Sequence, residues 1–334
     1  MKKTIFLLSL FFALWGIFLS FFFVFFDFQN LTEFLNFIVF SSKPYHYSGM
    51  DTFIVTERTS QYSYKSSSVA LINLFFYLSF LAGAIIYYFS KYKETKLLAF
   101  NYSLVFLDSV IKIFSFIAYF NSDKLSIYGV TYIAITLLYI FISYHFITKN
   151  LNSATIDDSS LTIENNLENA SNYKRFLNLS IDSFIIIVVA FGFIGYARQN
   201  DHLTTFFSYL KTAFGAKFGI LIFFSIIKFL YYLMFESIFK NTPAKILTAC
   251  YVTDEDGNSP DFSMILKRTI LRFIPLESLS FLMGKNLHDD YSNTYVINKK
   301  RDFKIEKRYL QILSVSFLIM LVVYFCNFSE GNRF

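Results

Sequence analysis

The segment "RFLNLSID" (residues 175–182) places charged side chains at the start of an apolar run. Arg175, Asn178 and Asp182 recur at i, i+3 and i+7, so they share one face of a helix. At about 1.5 Å per residue, Asp182 lies roughly 10 Å beyond Arg175 along the helix axis. A carboxylate at that depth in a bilayer costs about 2.5–3.5 kcal/mol and needs a cation, a bound ion or a proton. The pattern therefore predicts either a structural ion pair or a group that exchanges protons or cations.

A second polar stripe lies in "NYSLVFLDSVIKIFSFIAYF" (residues 101–120). Its polar residues share one helical face at a 7-4-3-4 spacing: Asn101, Asp108, Lys112, Ser115 and Tyr119. Asp108 and Lys112 are four residues apart, the spacing at which opposite charges on a helix meet. Two interpretations stay open, an ion pair that packs against neighbouring helices and an intramembrane proton or ion relay. Lys228 lies in another apolar run and also needs a partner there.

Apolar blocks of about 20 residues carry these side chains, and blocks of that length span a bilayer as helices. Hydrophobic residues make up 55% of the 334 residues and charged residues only 16%. Soluble domains carry about 25% charged residues. Seven runs are predicted spans: 4–26, 69–90, 97–120, 126–147, 176–197, 217–239 and 309–328. We therefore predict an all-α polytopic membrane protein with about seven transmembrane helices, the first of which is an uncleaved anchor.

The basic residues predict the orientation of these spans. With the N-terminus in the cytoplasm and seven alternating spans, about 20 Lys and Arg residues are cytoplasmic and about eight lie on the other side. This bias predicts a multi-pass protein with a cytoplasmic N-terminus. Membrane orientation then explains the net charge of +6, so we predict no nucleic-acid partner. Cys250 and Cys326 lie on opposite sides of the membrane in this topology and are not expected to pair.

Composition divides the chain into four parts. Residues 1–149 carry four predicted spans and an external loop, 27–68. Residues 150–172 are rich in Asn, Ser and acidic residues and are predicted to form a polar cytoplasmic linker. Residues 173–298 carry two further spans and a cytoplasmic insertion. Residues 299–334 contain a basic segment and the last span.

The insertion after span six is predicted to contain a strand, a turn and an amphipathic helix. "KILTACYV" (residues 245–252) is typical of a strand, and "TDEDGNSP" of a turn. The basic segment that follows suits an amphipathic helix at the membrane interface, with Ser259 as N-cap and Pro260 in the first turn. Pro275 is expected to end or kink this helix. Whether 262–283 crosses the membrane stays open, and such a crossing would reverse the last span.

The sequence contains no GxSxG, Walker A, GxGxxG or HExxH motif. His288 stands beside Asp289 without further ligands at a suitable spacing. Residues 253–258 lack the Asp and Asn spacing of a calcium loop. We therefore predict that the protein is not an enzyme and has no cofactor and no bound metal.

Four motifs, in order, resemble the RDD family of bacterial integral membrane proteins, which is named for one arginine and two aspartates. "YKRFLNLSID" is similar to the opening motif, with Arg175 and Asp182, and "LHDDYSNTYVI" is similar to the closing motif, with Asp289. "VTDEDGNSPDFSMILKRTILRFIPLESLSFL" is similar to the family's turn and basic helix. "FESIFKNTPAKIL" is similar to the segment after the second span, and its matching residues are Glu236, Thr242, Pro243 and Lys245.

This resemblance covers residues 173–298 and implies a bacterial inner-membrane location. It also implies a charged cluster of Arg175, Asp182 and Asp289 at the cytoplasmic mouth of spans five and six. Ala244 departs from the family pattern, in which a glycine usually follows the Thr-Pro pair. Membership alone does not determine an activity, although a transport role, including cation/proton antiport, has been proposed for some members.

We expect a transport-related membrane protein in which Asp182 alternates between a protonated and a cation-bound state. Its partners would then be the lipid bilayer, H⁺ and monovalent cations. The alternative is a non-catalytic membrane scaffold or accessory protein, which the external loop, the long linker and the lack of an internal repeat favour. Both functions are compatible with a homo-oligomer or with a membrane-protein partner.

Overall fold

The computed structural model describes residues 2–25, 42–45, 62–118, 127–156, 170–197, 201–255, 257–273 and 287–298. These residues form two units, which divide the chain after Phe146. The predicted last span, 309–328, and most of the predicted external loop lie outside the described residues.

The first unit is a set of long helices. They are α1 (Lys2–Phe25), α2 (Tyr62–Phe89), α3 (Lys96–Ala118) and α4 (Ile127–Ile156), of which α4 continues into the second unit. α1 buries Phe12 and Leu19 while it exposes Leu7 and Phe11. Exposed apolar surface of this kind is unfavourable in water but suits the hydrocarbon of a bilayer.

The last turns of α4 correct the predicted linker. The helix continues to Ile156, so the first residues of the stretch 150–172 are helical. Residues such as Asn and Ser have a lower helix propensity but can still be helical. Because the long helix before them is already nucleated, it can propagate through them. Residues 157–169 lie outside the described residues.

The second unit combines helices with a two-stranded sheet. The long helix α6, Asp201–Phe239, contains a non-helical Gly215 with φ 79° and ψ 161°, a conformation that favours glycine. The chain turns back at this glycine, and the turn brings the ring centroids of Phe207 and Phe223 to 4.7 Å from each other. The part after this turn coincides with the predicted span 217–239. The elements are α5 (Asn172–Ala197), α6 (Asp201–Phe239), α7 (Pro243–Thr248), β1 (Cys250–Asp254), α8 (Phe262–Leu271), α9 (Leu287–Ser292) and β2 (Thr294–Asn298).

The small sheet joins two distant segments of the second unit. β1 pairs antiparallel with β2, with Cys250 opposite Asn298 and Asp254 opposite Thr294. β2 was not predicted from the sequence. Between β1 and α8, the predicted turn is closed by a hydrogen bond of 2.6 Å from the Asn258 amide to the Asp254 side chain.

The strand predicted over 245–252 is wrong in its first half. Residues 245–248 belong to α7, and the strand begins at Cys250. Thr242 caps α7 by accepting a hydrogen bond from the Lys245 amide, and Pro243 supplies a helical φ at the first position. Ala249, in the left-handed conformation with φ 55°, ends the helix.

The start of α8 also differs from the prediction. The N-cap is Asp261, so neither Ser259 nor Pro260 has the predicted role. Asp261 has an extended backbone, and the helix begins at the next residue. α8 ends at Leu271, before Pro275, and residues 274–286 lie outside the described residues.

Four helical segments among the described residues are long and apolar enough to cross a membrane. They are Lys2–Ser20, Lys96–Ile117, Gly129–Lys149 and Thr204–Phe239, and Asn73–Phe89 is a shorter apolar segment. A helical membrane protein is therefore confirmed. The count of seven spans is not confirmed and stays a prediction.

α1 and α2 approach each other closely at Gly16. A Cβ atom at this position would lie 2.2 Å from the ring atoms Cδ1 and Cε1 of Tyr77. The ring is fixed at its other end, because its hydroxyl donates to the Tyr45 carbonyl at 2.5 Å and accepts from the Tyr45 amide at 3.2 Å. Glycine at position 16 therefore makes room for a ring that has little freedom to move.

We predict that Gly16→Ala destabilises the first unit by about 1–3 kcal/mol, the usual cost of overpacking. Helix propensity favours alanine over glycine by about 1 kcal/mol. A net loss of stability in Gly16→Ala would therefore be due to the clash with Tyr77 and not to helix propensity. Thermal unfolding in detergent measures the effect. Leu14→Ala, at a position 51% exposed on the same helix, is the control and should leave the melting temperature nearly unchanged. A Gly16→Ala variant as stable as the wild type would contradict the prediction.

Candidate functional site

The second unit encloses a carboxylate surrounded by cations. Glu236, near the end of α6, is fully buried. Lys245 Nζ donates to Glu236 Oε1 at 2.5 Å. Arg272 makes two parallel hydrogen bonds, from Nη2 to Oε1 at 2.7 Å and from Nη1 to Oε2 at 3.1 Å. Arg268 Nε completes the set as an ion pair 3.5 Å from Oε2. Bidentate guanidinium–carboxylate pairs of this kind fix geometry as well as charge.

Arg268 connects this carboxylate to a second one. Its Nη1 donates to Asp289 Oδ1 and, at 2.6 Å, to the hydroxyl of Thr294. The other oxygen of Asp289, Oδ2, accepts a hydrogen bond of 2.5 Å from Arg175 Nη1. A continuous series of ion pairs therefore runs from Glu236 through Arg268 and Asp289 to Arg175.

Five helices supply the side chains of this series. α8 and its C-cap supply two arginines four residues apart, Arg268 and Arg272, and the helical backbone of the C-cap keeps both on one face. α5, α6, α7 and α9 supply one residue each. We call these six buried residues the charge cluster: Arg175, Glu236, Lys245, Arg268, Arg272 and Asp289.

The interfacial position of α8 stays a prediction, and the structure shows which of the basic residues in and beside this helix are buried. Arg268 is fully buried and Arg272 nearly so, while Lys267 is exposed. The basic face points to carboxylates inside the protein, where an arginine finds a stronger partner than water or a headgroup. The sequence carried a signal for this arrangement, since Glu236 and Asp289 both needed a counter-charge.

The charge cluster has more cations than carboxylates, four against two. One guanidinium gains a further partner, because Arg272 Cζ lies 3.9 Å from the centroid of the Tyr232 ring. Burial and the excess of positive charge both lower the pKa of Lys245. Burial, together with the nearby Arg268 and Arg272, lowers the pKa of Lys245 to about 8 despite the opposing effect of Glu236.

Asp182 occupies a different environment from the two carboxylates of the charge cluster. It is 1% exposed. Its Oδ1 accepts hydrogen bonds from the Tyr231 hydroxyl at 2.7 Å and from the Ala244 amide at 3.3 Å. Its Oδ2 accepts one from the Thr242 hydroxyl at 2.7 Å. These three donors are all neutral.

The structure thus divides the three residues of the predicted RDD cluster between two sites. Arg175 and Asp289 form a buried ion pair. Within the described part of the chain, no ion pair joins Arg175 to Asp182, although both lie on α5. The hydroxyl of Tyr231 was not recognised from the sequence, and no local spacing indicated it.

The remaining predicted residues of this half have structural roles around Asp182. Thr242 both caps α7 and donates to Asp182, and Pro243 begins α7. Asn178, on the same face of α5, accepts a hydrogen bond of 2.6 Å from the Thr248 hydroxyl. Lys228 donates to the carbonyl of Arg272 at 3.2 Å.

In the first unit, Asp108 and Lys112 form an ion pair. Lys112 Nζ lies 2.8 Å from Asp108 Oδ2, and each side chain is 14% exposed. Lys112 also donates to the carbonyl of Lys43 at 3.2 Å. Of the two interpretations of this pair, the structure contains the ion pair, and a relay is not tested by it.

A helical membrane fold around a buried series of ion pairs defines the class of this protein. The model of the RDD family matches residues 169–333. The chain belongs to the RDD family of membrane proteins through this second half, which contains the whole charge cluster and Asp182. No curated protein and no solved structure matches the chain.

We predict that Glu236→Gln destabilises the second unit by about 3–5 kcal/mol, the cost of leaving buried charges uncompensated. The amide cannot neutralise Lys245 and Arg272, and its NH₂ group faces donors. The yield of monodisperse protein and the melting temperature in detergent measure the effect. Glu255→Gln makes the same change at an exposed position and should behave as the wild type. Equal stability of the two variants would contradict the structural role of Glu236.

We predict that the stability of the second unit rises between pH 8 and pH 10 through Lys245. Its folded pKa of about 8 lies below the ordinary 10.5, so the unfolded chain binds more protons in this window. Stability therefore rises with pH there. Lys245→Met should remove this rise and, below pH 8, should be at least as stable as the wild type, since Glu236 keeps two arginines.

Melting temperatures from pH 7.5 to 9.5 test this expectation. Lys267→Met removes an exposed lysine and is the matched control, with the pH profile of the wild type. Parallel profiles for the wild type and Lys245→Met would show that Lys245 does not lose its proton in this range.

Proposed function

We propose that this RDD-family membrane protein exchanges protons for monovalent cations across the membrane, with Asp182 as the exchanging group. The observation that carries the proposal is the set of partners around this carboxylate. Asp182 is buried within an apolar helix, and its hydrogen bonds come from two hydroxyls and one amide. Buried ionisable groups at membrane depth mark ion and proton pathways in membrane proteins.

The two hydroxyls allow Asp182 to take either charge state. A hydroxyl is a donor and an acceptor, and its hydrogen can rotate. When Asp182 is ionised, Tyr231 and Thr242 both donate to it. When Asp182 is protonated, one of these hydroxyls can accept the carboxyl proton. Asp182 therefore keeps a hydrogen-bond partner in both charge states, which lowers the cost of changing between them.

The charge cluster has the opposite property. Lysine and arginine side chains have donors and no acceptors, so a protonated Glu236 or Asp289 would face groups that cannot accept its proton. These carboxylates are thus suited to a fixed frame. The contrast within one unit supports Asp182, and not Glu236 or Asp289, as the exchanging carboxylate.

The oxygens around Asp182 are also suitable ligands for a cation. Carboxylate and hydroxyl oxygens are hard donors, which alkali cations prefer to nitrogen or sulfur. The hydroxyls of Tyr231 and Thr242 each lie within hydrogen-bond distance of one oxygen of the Asp182 carboxylate. A cation that displaces the proton therefore finds oxygens from three residues, on α5, on α6 and at the N-cap of α7.

We predict that the purified protein moves protons in response to a cation gradient and that Asp182→Asn abolishes this movement. Liposomes that contain a pH-sensitive dye receive pulses of Na⁺, K⁺ or Li⁺. Asparagine keeps the size of the side chain and hydrogen bonds to both hydroxyls but takes no proton and binds no cation by charge. The rate in Asp182→Asn liposomes should therefore equal that of protein-free liposomes.

Asp290→Asn is the matched control, because it neutralises an exposed aspartate of α9 and should leave the flux unchanged. Insertion and folding of each variant are verified by its elution and its melting temperature. Wild-type flux in Asp182→Asn would exclude this residue as the exchanging group. Folded and inserted wild-type protein without flux for any cation would favour the alternative, a membrane scaffold, and the next experiment would be partner capture.

A further inference from the structure

A short non-helical segment, residues 42–45, is held inside the first unit by its main chain. We call it the inner segment. Tyr139 donates to the carbonyl of Ser42 at 2.8 Å, and Lys112 donates to the carbonyl of Lys43. Tyr77 bonds both the amide and the carbonyl of Tyr45. With Trp15, which donates to the Ser42 hydroxyl at 2.9 Å, each of the helices α1 to α4 contributes one donor.

The inner segment contacts the surrounding helices within their apolar segments, at Trp15, Lys112 and Tyr139 among others. Tyr139 is ten residues from either end of the apolar segment Gly129–Lys149. At about 1.5 Å per residue, this is about 15 Å from each end, half of the hydrocarbon thickness. Non-helical backbone at membrane depth occurs only where protein or a polar cavity surrounds it. The four polar side chains provide that surrounding for the carbonyls of the inner segment.

The ammonium group of Lys112 contacts both a carboxylate oxygen and a main-chain carbonyl oxygen. Its Nζ lies 2.8 Å from a carboxylate oxygen of Asp108 and 3.2 Å from the carbonyl oxygen of Lys43. An i, i+4 ion pair on a helix forms without a third partner, so the added carbonyl is a separate feature. Carbonyl and carboxylate oxygens are the ligands that proteins offer to alkali cations in membranes.

We propose that the Asp108 carboxylate and the Lys43 carbonyl form a monovalent-cation site of the first unit, in which the ammonium group of Lys112 takes the place of the cation. An ammonium group and K⁺ carry the same charge and have similar radii. A cation that enters the site therefore meets the same oxygens when the Lys112 side chain moves away. Tyr77 and Tyr139 keep the carbonyls of the inner segment in position in either case.

This site is separate from Asp182 and does not depend on exchange there. Its test measures binding and not flux, so each proposal can fail while the other holds. The site also uses a lysine as an internal competitor, which Asp182 lacks among the described residues.

The experiment measures thermal unfolding of the full-length protein in detergent at constant ionic strength. The probes are NaCl, KCl and LiCl, with choline chloride as the reference salt. In Lys112→Gln, Asp108 no longer has the ammonium group, and at least one alkali cation should raise the melting temperature by several degrees in a saturable manner. The wild type should show a much smaller shift, because Lys112 competes with the ion.

The matched control is Asp108→Asn/Lys112→Gln, which removes both charges and should show no difference between the alkali salts and choline. A second variant, Lys43→Gln/Lys112→Gln, keeps the main-chain carbonyl at position 43 and also removes the buried side-chain charge of Lys43. It should respond as Lys112→Gln does.

Three results would overturn the proposal. One is the absence of a cation-specific shift in both lysine variants. Another is an equal shift in the variant that lacks the Asp108 charge. The third is a Lys112→Gln protein that cannot be purified in any of the salts while Asp108→Asn/Lys112→Gln can, because then no alkali cation replaces the ammonium group.

Discussion

The Glu236 carboxylate is the charge on which the second unit depends. A carboxylate buried at the end of an apolar helix is unfavourable unless cations and hydrogen bonds compensate it. Arg272 and Lys245 provide the closest of these contacts. Arg268 then brings a further positive charge, which Asp289 must share, and Asp289 in turn pairs with Arg175. Each of these charges requires an opposite charge from another element. The series of ion pairs therefore joins the helices of the second unit from α5 to α9.

The first unit meets the same low-dielectric constraint with a different kind of group. Its enclosed polar atoms include the main-chain carbonyls of the inner segment, which carry partial charges and need donors but no counter-ions. Phenol hydroxyls from Tyr77 and Tyr139 suit this purpose, because the ring packs among apolar side chains while the hydroxyl reaches the backbone. Arginines, which the second unit uses, would add positive charge beside carbonyls that carry no negative charge to neutralise.

The sequence predicts those parts of this structure that depend on local pattern. Apolar runs located the long helices, because a span needs about 20 apolar residues in succession. Asp108 and Lys112 pair as their spacing indicated, since both lie on one helix. Arg175 and Asp182 also share a face, yet Arg175 pairs with Asp289, which is 114 residues away. Spacing alone does not say which of several acids is closer in space.

Two further errors have the same origin. The run at 245–252 contains apolar residues in both a helical turn and a strand, and only the cap at Thr242 and the left-handed Ala249 separate them. The segment around Arg268 was predicted only as an amphipathic interfacial helix, and the ion pairs of Arg268 were missed. Its partners Glu236 and Asp289 lie on other elements, so a single sequence reveals the charges without their pairing. The family motifs, by contrast, were recognisable because they are contiguous.

The short helix α7 connects the two kinds of carboxylate in the second unit. Its N-cap Thr242 and its residue Ala244 donate to Asp182, and the next residue, Lys245, donates to Glu236. Because the pKa of Lys245 is about 8, this lysine can change its charge under conditions in which the arginines cannot. Glu236 also has its bidentate bond to Arg272, so this carboxylate has a cationic partner in either charge state of Lys245.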